Sequence, residues 1–441
     1  MTSVSINFMK SLDDRVLSIL ENCTSCGACA TVCPTPQLAN ISDTEPVNLV
    51  NGVLDILRSK EIKKNAKVWA ESCCGSGFCQ SACDYGINPR FMLAMARRSL
   101  NAAKPEKMRR DQGKNAFKKM SRGVRVLSRL QLHPKMLDKI SPRSHPKSKS
   151  NSDVVFYTGC NMLKTPHIGL LCLDVLDRLD LTYEVHGGPS SCCGILQFRP
   201  GDTENAGRQA LKTIDTLAKT NASKVLSWCP TCQIQFAEVA SPSSKAAIDT
   251  NFNMTMFPVF LAGNLDRLRP LLKNPVKKRV AVHEYAGELG VMTAVRELLT
   301  AVPGIELIDL GHKSAGYTGT ALAQMKEYQQ KTIAKTLLKA DEMKIDTLVG
   351  VYHNDHREFS GHEAAWNFKV ANYMELIGES MGINRPDMFK QMKLMGDVDA
   401  ILSSASELIE ENGLDLSEVR EVVISDMLND QQLPVDRNLH Q

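Results

Sequence analysis

The sequence predicts an α+β multidomain protein in which a helical, cysteine-dense N-terminal module precedes two duplicated α/β units. Eight of the 14 cysteines fall within the first 100 residues, whereas short apolar segments alternate with amphipathic ones from residue 153 onward. The order of those segments then repeats: KRVAVHEYAG follows the pattern of DVVFYTGC, and GIELIDLGHKSAG follows that of LTYEVHGGPSSCCG. Alternating strands and helices favour parallel sheets covered by helices.

The predicted boundaries follow changes in composition along the 441 residues. Residues 104–150 carry 15 Lys or Arg against three acidic residues, a local charge of +12 in a chain whose total is +4. A basic stretch that ends in Pro and Ser residues is typical of a linker. The predicted parts are an N-terminal module (1–103), a basic linker (104–152), a first α/β unit (153–277), a second α/β unit (278–383) and a mostly helical C-terminal extension (384–441).

Composition also bears on where the protein acts. The N-terminus lacks a basic-then-apolar signal region, and no apolar run approaches the roughly 18–20 residues of a membrane span. We therefore expect a cytoplasmic protein, and in a reducing compartment clustered cysteines indicate metal ligands more often than disulfides. The basic linker is a solvated connector, a docking segment for an acidic partner, or a contact to anionic lipid on the inner face of the membrane. Nucleic-acid binding is not expected, because Phe117 is the linker's only Phe, Tyr or Trp for base stacking.

The N-terminal module contains two cysteine runs with the spacing of iron–sulfur ligands. The first, CTSCGACATVCP, follows the pattern C-x2-C-x2-C-x3-C-P, in which the fourth cysteine of two-cluster bacterial ferredoxins ligates the other 4Fe–4S cluster. The second run is CCGSGFCQSACDYGINP. Exchange of ligands between the runs gives two predicted sets: Cys23, Cys26, Cys29 and Cys83 for cluster one, and Cys33, Cys73 and Cys79 for cluster two.

The fourth ligand of cluster two is open at this point. Ser76 stands where the second run should have a cysteine, and Cys74 is an additional thiol. Either Cys74 supplies the ligand, or Ser76 ligates through oxygen, or one iron is absent and the site holds a 3Fe–4S cluster.

A further group of cysteines follows the predicted strands of the first α/β unit. Parallel sheets place their sites beyond the carboxyl ends of the strands, so these thiols should converge. Adjacent cysteines are explained if each binds a different iron of one extended cluster, whereas a structural zinc would use only four thiolates. The five thiols are Cys160, Cys192, Cys193, Cys229 and Cys232.

The cysteine spacing and the order of the modules resemble heterodisulfide reductase-related iron–sulfur proteins with CCG domains, over roughly residues 15–385. The chain is similar to the iron–sulfur subunits of anaerobic glycerol-3-phosphate dehydrogenase and glycolate or lactate oxidase, and to fused heterodisulfide reductase D-type subunits. The resemblance implies an N-terminal helical two-cluster ferredoxin-like module followed by two duplicated α/β CCG-type domains. It also implies that the same five cysteines hold one noncubane 4Fe–4S cluster.

The second α/β unit departs from this family pattern. Its corresponding positions are Ala286, the segment 314–316 (Ser-Ala-Gly) and the pair His353 and His356, so no thiol remains. These two histidines either are polar residues that fill the loop of a copy that has lost its metal site, or belong to a second metal site.

The leading hypothesis is an electron-transfer subunit of an oxidoreductase complex. Its partner would be a flavoprotein dehydrogenase, a membrane cytochrome or quinone-linked subunit, or other heterodisulfide reductase-like subunits. We find no flavin or nicotinamide motif, so that chemistry is assigned to a partner. In the alternative hypothesis, Cys192 and Cys193 are catalytic and the CCG cluster performs thiol/disulfide chemistry. A third hypothesis makes the clusters structural.

Overall fold

The N-terminal part of the chain is entirely helical. The structure, a computed structural model, describes residues 3–143, 151–287 and 289–440, so residues 144–150 of the predicted linker lie outside the described residues. The helices of the N-terminal module are α1 (Ser3–Asn22), α2 (Ala28–Thr31), α3 (Thr35–Leu38), α4 (Pro46–Leu57), α5 (Lys64–Glu71), α6 (Phe78–Ser81) and α7 (Pro89–Ala102).

Most of the predicted basic linker forms two helices, α8 (Glu106–Arg129) and α9 (Pro134–Ile140). Val126 and Leu127 of α8 are buried against helices of the C-terminal extension. Several of its basic side chains pair with acids elsewhere in the chain, such as Arg122 with Glu421 at 2.8 Å. The segment packs in this way because an apolar stripe runs between its charged residues.

The first α/β unit is built on a four-stranded parallel sheet in the order β2-β1-β3-β4. Its strands are β1 (Val154–Tyr157), β2 (Tyr183–His186), β3 (Lys224–Ser227) and β4 (Thr255–Met256). Its helices are α10 (Pro166–Arg178), α11 (Ile195–Phe198), α12 (Thr203–Ala218), α13 (Pro230–Ile234), α14 (Ser241–Ile248), α15 (Phe257–Ala262) and α16 (Leu265–Leu268), with 3-10 turns at Asn161–Lys164, Pro189–Ser191 and Arg269–Leu271 and a π-helical segment at Gln235–Ala240.

The second α/β unit contains another four-stranded parallel sheet, in the equivalent order β6-β5-β7-β8. Its strands are β5 (Lys278–Val282), β6 (Ile305–Ile308), β7 (Thr347–Gly350) and β8 (Lys369–Asn372). Its helices are α17 (Val291–Ala301), α18 (Lys326–Glu342), α19 (His353–Ser360) and α20 (Tyr373–Met381), with 3-10 turns at Gly319–Leu322 and Gly361–Ala364.

The C-terminal extension is helical, as its sequence pattern indicates. It folds against α8 and the second unit, and Leu433 packs in the core beneath the second sheet. Its helices are α21 (Met388–Met395), α22 (Val398–Ser404), α23 (Ser406–Glu411) and α24 (Leu416–Val423), followed by a π-helical segment (Ile424–Leu428) and a 3-10 turn (Arg437–Leu439).

The first sheet lies between the N-terminal module and the second unit. Successive side chains of a strand face opposite sides of the sheet. Val154 and Phe156 of β1 therefore enter a core shared with the second unit, whereas Val155 and Tyr157 enter a core shared with the N-terminal helices. All four side chains are buried, which explains why this strand is a continuous apolar run.

Candidate metal centres

The first group of thiols lies on the loop before α2, in α2 itself and just after α6. Cys23, Cys26, Cys29 and Cys83 line one small pocket. Burial and the neighbouring thiols of Cys23, Cys83 and Cys26 raise the pKa of Cys29 to about 12. Cys83 comes from the second run, so the structure brings together the thiols that the ligand exchange predicts for cluster one.

The second group of thiols combines the end of the first run with the start of the second. Burial and the adjacent Cys73 and Cys33 raise the pKa of the Cys79 thiol. Burial and Cys73 also raise the pKa of Cys33, whose sulfur accepts a hydrogen bond from the indole N–H of Trp69 at 3.4 Å. These three thiols are the set predicted for cluster two.

Cys74 lies next to this second group. Burial and then Cys73 raise the pKa of its thiol, and Cys33 adds to the shift. The residue is 1% exposed and packs with Ala315 and Leu322 of the second α/β unit. Cys74 thus stands at the boundary between the N-terminal module and the second unit.

The third group contains the five thiols of the first α/β unit in one continuous contact chain. Each thiol shifts the pKa of the next one in the order Cys160, Cys192, Cys193, Cys232 and Cys229, so the five sulfurs lie close to one another. Hydrogen bonds from Cys192 and Cys232 lower the pKa of Cys193 to about 6. All five residues follow the carboxyl ends of β1, β2 and β3, where the sequence places them.

Two glycines allow the backbone to approach these sulfurs. Gly159 has φ +69°, and a Cβ there would lie 3.2 Å from Cys229 Cβ and 3.6 Å from Cys232 Sγ. Gly194 has φ +81°, and a Cβ there would lie 2.4 Å from the carbonyl oxygen of Ala206. The Gly194 N–H donates a hydrogen bond to Cys192 Sγ at 3.4 Å. The Gly of the CCG sequence therefore has both a conformational and a hydrogen-bonding role.

The donor atoms fit iron–sulfur clusters. Thiolates are the ligands of such clusters, and the 14 cysteines are free rather than paired in disulfides. The third group offers five sulfurs, more than the four ligands that a tetrahedral zinc site uses.

The second unit has no corresponding thiol group. Ala286 and Ser314 follow β5 and β6 and are joined through a hydrogen bond from the Ala286 N–H to the Ser314 carbonyl at 2.8 Å. His353 and His356 begin α19, but the structure does not unite them in one site. His356 contacts His167, Glu375 and Asp387, whereas His353 lies outside that group among the described residues.

Sequence analysis missed the residues that join the N-terminal module to the third thiol group. The guanidinium of Arg90 binds the carboxylate of Glu238 in the π-helical segment and donates to the Gly75 carbonyl at 2.7 Å. The two side chains are 9% exposed, and removing one partner of such a pair typically costs about 3–5 kcal/mol. The residues are 148 positions apart, so no local spacing could reveal the pair.

A cavity of about 380 Å³ lies at the same junction. Its wall includes Cys73 of the second thiol group and Thr231, which stands between Cys229 and Cys232. Arg97, Arg199 and Tyr317 also line it. The second and third thiol groups therefore border a common space, whose wall also contains Glu71 and Glu238.

Two protein families match separate parts of the chain. Residues 22–88 match the 4Fe-4S dicluster domain family, and residues 154–237 match the cysteine-rich CCG domain family. No solved structure matches significantly. Among the residues that the structure describes, no helix combines the length and apolar character needed to cross a membrane.

Curated relatives of the chain are components of reductases and dehydrogenases. The D subunit of dihydromethanophenazine:CoB–CoM heterodisulfide reductase from Methanosarcina mazei is 24% identical over 333 residues, 68% of this chain and 77% of the relative. The B subunit of fumarate reductase (CoM/CoB) from Methanothermobacter marburgensis is 24% identical over 241 residues, 51% of this chain and 46% of the relative. The C subunit of anaerobic glycerol-3-phosphate dehydrogenase from Escherichia coli K12 is 23% identical over 184 residues, 40% of this chain and 46% of the relative.

These findings support an electron-transfer role for the chain and are consistent with an iron–sulfur oxidoreductase subunit. It carries a 4Fe–4S dicluster domain and a cysteine-rich CCG domain, and its relatives include components of heterodisulfide reductase and of anaerobic glycerol-3-phosphate dehydrogenase. The recognition made from the cysteine spacing is confirmed.

Proposed function

We propose that this chain relays electrons between a flavoprotein or quinone-linked partner and a noncubane 4Fe–4S cluster in its CCG domain. The observation that carries the proposal is the contact chain of five thiols beyond β1, β2 and β3, together with two further thiol groups in the same molecule. When bound, iron–sulfur clusters supply one-electron transfer at potentials set by cluster type, hydrogen bonds to sulfur and exposure.

The ligand sets follow from the thiol groups. Cys74 completes cluster two in this proposal, because it is buried beside Cys73 and Cys33. Ser76 as ligand, and a 3Fe–4S cluster without a fourth ligand, are the alternatives. The assigned sets are Cys23, Cys26, Cys29 and Cys83 for cluster one, Cys33, Cys73, Cys74 and Cys79 for cluster two, and Cys160, Cys192, Cys193, Cys229 and Cys232 for the CCG cluster.

The chain's own residues tune and insulate these sites. Trp69 and the Gly194 backbone donate hydrogen bonds to sulfur, which favours the reduced, more negative form of a bound cluster. The fully buried Tyr157 lies beneath the CCG thiols, and its hydroxyl donates to the Ser191 carbonyl at 2.7 Å. The Arg90–Glu238 pair holds the N-terminal module against the CCG domain, so two cluster sites keep a fixed spacing.

We further propose that the two α/β units arose by duplication and that the second has lost its cluster. The shared strand order supports a common origin. A reaction that requires a CCG cluster in each unit is then unavailable to this chain alone.

A catalytic role at the single CCG cluster is the second candidate. The cavity beside Thr231 favours it, because Arg97 and Arg199 would attract an anionic thiol or disulfide. Cys192 and Cys193 would then be the catalytic residues.

Electron flow in the intact partner complex tests these proposals. A Cys192→Ser/Cys193→Ser variant should assemble with the partner and accept electrons into the N-terminal clusters, but turnover of the complex should be lost. Normal turnover would contradict both roles and would indicate that the clusters have only a structural function. Addition of a thiol or disulfide to oxidised wild-type protein distinguishes the two roles. A changed EPR signal of the CCG cluster indicates catalysis at that cluster. An unchanged signal indicates that the cluster only relays electrons.

A further inference from the structure

Four metal-ligating side chains meet in the interior of the molecule, away from the cysteine groups. His167 lies on α10 of the first unit, His356 on α19 and Glu375 on α20 of the second unit, and Asp387 precedes α21. One ligand atom from each lies within 4.8 Å of the others. The group therefore joins three parts of the chain that are distant in sequence.

Asp387 contacts one ring nitrogen of each histidine. Its Oδ2 is 2.6 Å from His356 Nε2, and its Oδ1 is 3.5 Å from His167 Nδ1. Asp387 is itself fixed, since Oδ1 accepts a hydrogen bond from the Lys390 N–H at 3.0 Å. The carboxylate thus orients the His356 ring through a hydrogen bond and lies at ion-pair distance from the His167 ring.

The opposite ring nitrogens face Glu375. Glu375 Oε2 is 3.8 Å from His167 Nε2 and 3.9 Å from His356 Nδ1. These separations are too long for hydrogen bonds. Ligand atoms held at 2.0–2.1 Å around a tetrahedral metal stand about 3.3 Å apart, so each of these two separations would have to shorten by about half an ångström for the oxygen and the nitrogen to share one ion.

Three of these ring nitrogens make no hydrogen bond among the described residues. His167 and His356 are 3% and 0% exposed. Within the described part of the chain, neither ring nitrogen of His167 nor Nδ1 of His356 has a hydrogen-bond partner. Buried polar atoms are almost always hydrogen-bonded, so these nitrogens, which lie beside two carboxylates without a hydrogen bond, require an explanation.

We propose that His167 Nε2, His356 Nδ1 and Glu375 bind one divalent transition-metal ion such as Zn²⁺, and that Asp387 is the outer carboxylate that orients both histidines. Two imidazoles and one carboxylate form a known ligand set for zinc and for iron(II). A carboxylate behind a ligating histidine fixes its tautomer and strengthens it as a ligand.

The site has a route to solvent. Glu375 also lines a cavity of about 410 Å³ with Glu379 and Arg385. An ion entering there would meet the carboxylate first and the two histidines behind it. Once bound, it would fasten the first α/β unit to the second, because its ligands come from both.

X-ray absorption at the zinc edge tests the proposal on full-length protein with its iron–sulfur clusters intact, after dialysis against Zn²⁺. We expect about one zinc per chain with only nitrogen and oxygen neighbours at about 2.0–2.1 Å. Sulfur neighbours at about 2.3 Å would assign the zinc to cysteines instead. Absence of bound zinc would show that the four side chains form only an ion-pair network. Either result overturns the proposal.

Variants locate the ion independently of the iron–sulfur proposal. His167→Gln and the near-isosteric Glu375→Gln should each lose this zinc, while iron and acid-labile sulfide stay unchanged. His353→Gln is the matched control, since His353 is a buried histidine of the same helix as His356 but lies outside the group. Zinc retained in both test variants, or lost equally in the control, contradicts the assignment.

Discussion

The identity of single residues decides which cluster the N-terminal module can hold at its second site. Cys74 and Ser76 are both buried and both lie on the loop between α5 and α6. A thiolate is a stronger ligand for iron than a serine hydroxyl is. Burial, Cys73 and Cys33 raise the pKa of the Cys74 thiol, so this thiol lies close to two predicted ligands of cluster two.

Replacing Cys74 with Ser should therefore change cluster two. We expect loss of about one iron per chain and the EPR signal of a 3Fe–4S cluster, because a hydroxyl binds iron less well than a thiolate. Iron analysis and EPR of anaerobically prepared protein measure both effects. Ser76→Ala is the matched control and should leave them unchanged; the reverse pattern would make Ser76 the ligand.

Sequence spacing predicted the residues of the thiol groups better than any other part of the site. Ligands only a few positions apart must curve around a common point, and thiols after neighbouring parallel strands share one edge of the sheet. The Arg90–Glu238 pair and the group around His356 could not be predicted in this way, since folding alone brings their members together. Of these residues, only His356 had a local signal, its spacing from His353, and that spacing gave no information on His167, Glu375 or Asp387.

At the scale of elements, a loop of the second unit is pressed against the loop of cluster two. A Cβ on Gly75 would lie 2.3 Å from Tyr317 Cε1, and one on Gly316 would lie 2.6 Å from the Cys74 carbonyl oxygen. The segment that replaces the CCG sequence in the second unit thus covers the second iron–sulfur site.

Substitution of Gly75 tests this contact. Gly75→Ala should displace Tyr317, expose cluster two and speed its loss of iron in air. Gly86→Ala is a close control, because Gly86 has φ +69° against +70° at Gly75 but nothing within 4 Å of its Cβ position. Both variants carry the backbone strain of about 1–2 kcal/mol for a left-handed residue. Equal rates of iron loss would show that the contact has no protective role.

The elements themselves were largely predictable. Alternation of short apolar segments with amphipathic ones correctly indicates mixed helix and parallel sheet. The basic segment was harder to interpret, because its charge suggests a solvated linker, whereas Val126 and Leu127 are recognisable as core residues only once the C-terminal helices are folded against them.

At the scale of the whole molecule, the first sheet is the centre of the structure. One face supports the N-terminal cluster module and the other supports the second unit. This layering packs the parts that carry the three thiol groups against one another, and the third group lies at the loop edge of the first sheet. The sequence repeat indicated two units, but it held no information on how the two sheets share a core.

The central claim is that Cys192 and Cys193 bind separate irons of a single cluster. Iron and acid-labile sulfide per chain, measured with Mössbauer spectra on protein isolated without oxygen, test it most directly. We predict about 12 irons in the wild type and about four fewer in Cys192→Ser/Cys193→Ser, with the N-terminal clusters unchanged. An iron count that does not differ between the two proteins, or zinc in place of iron at these cysteines, would contradict the account.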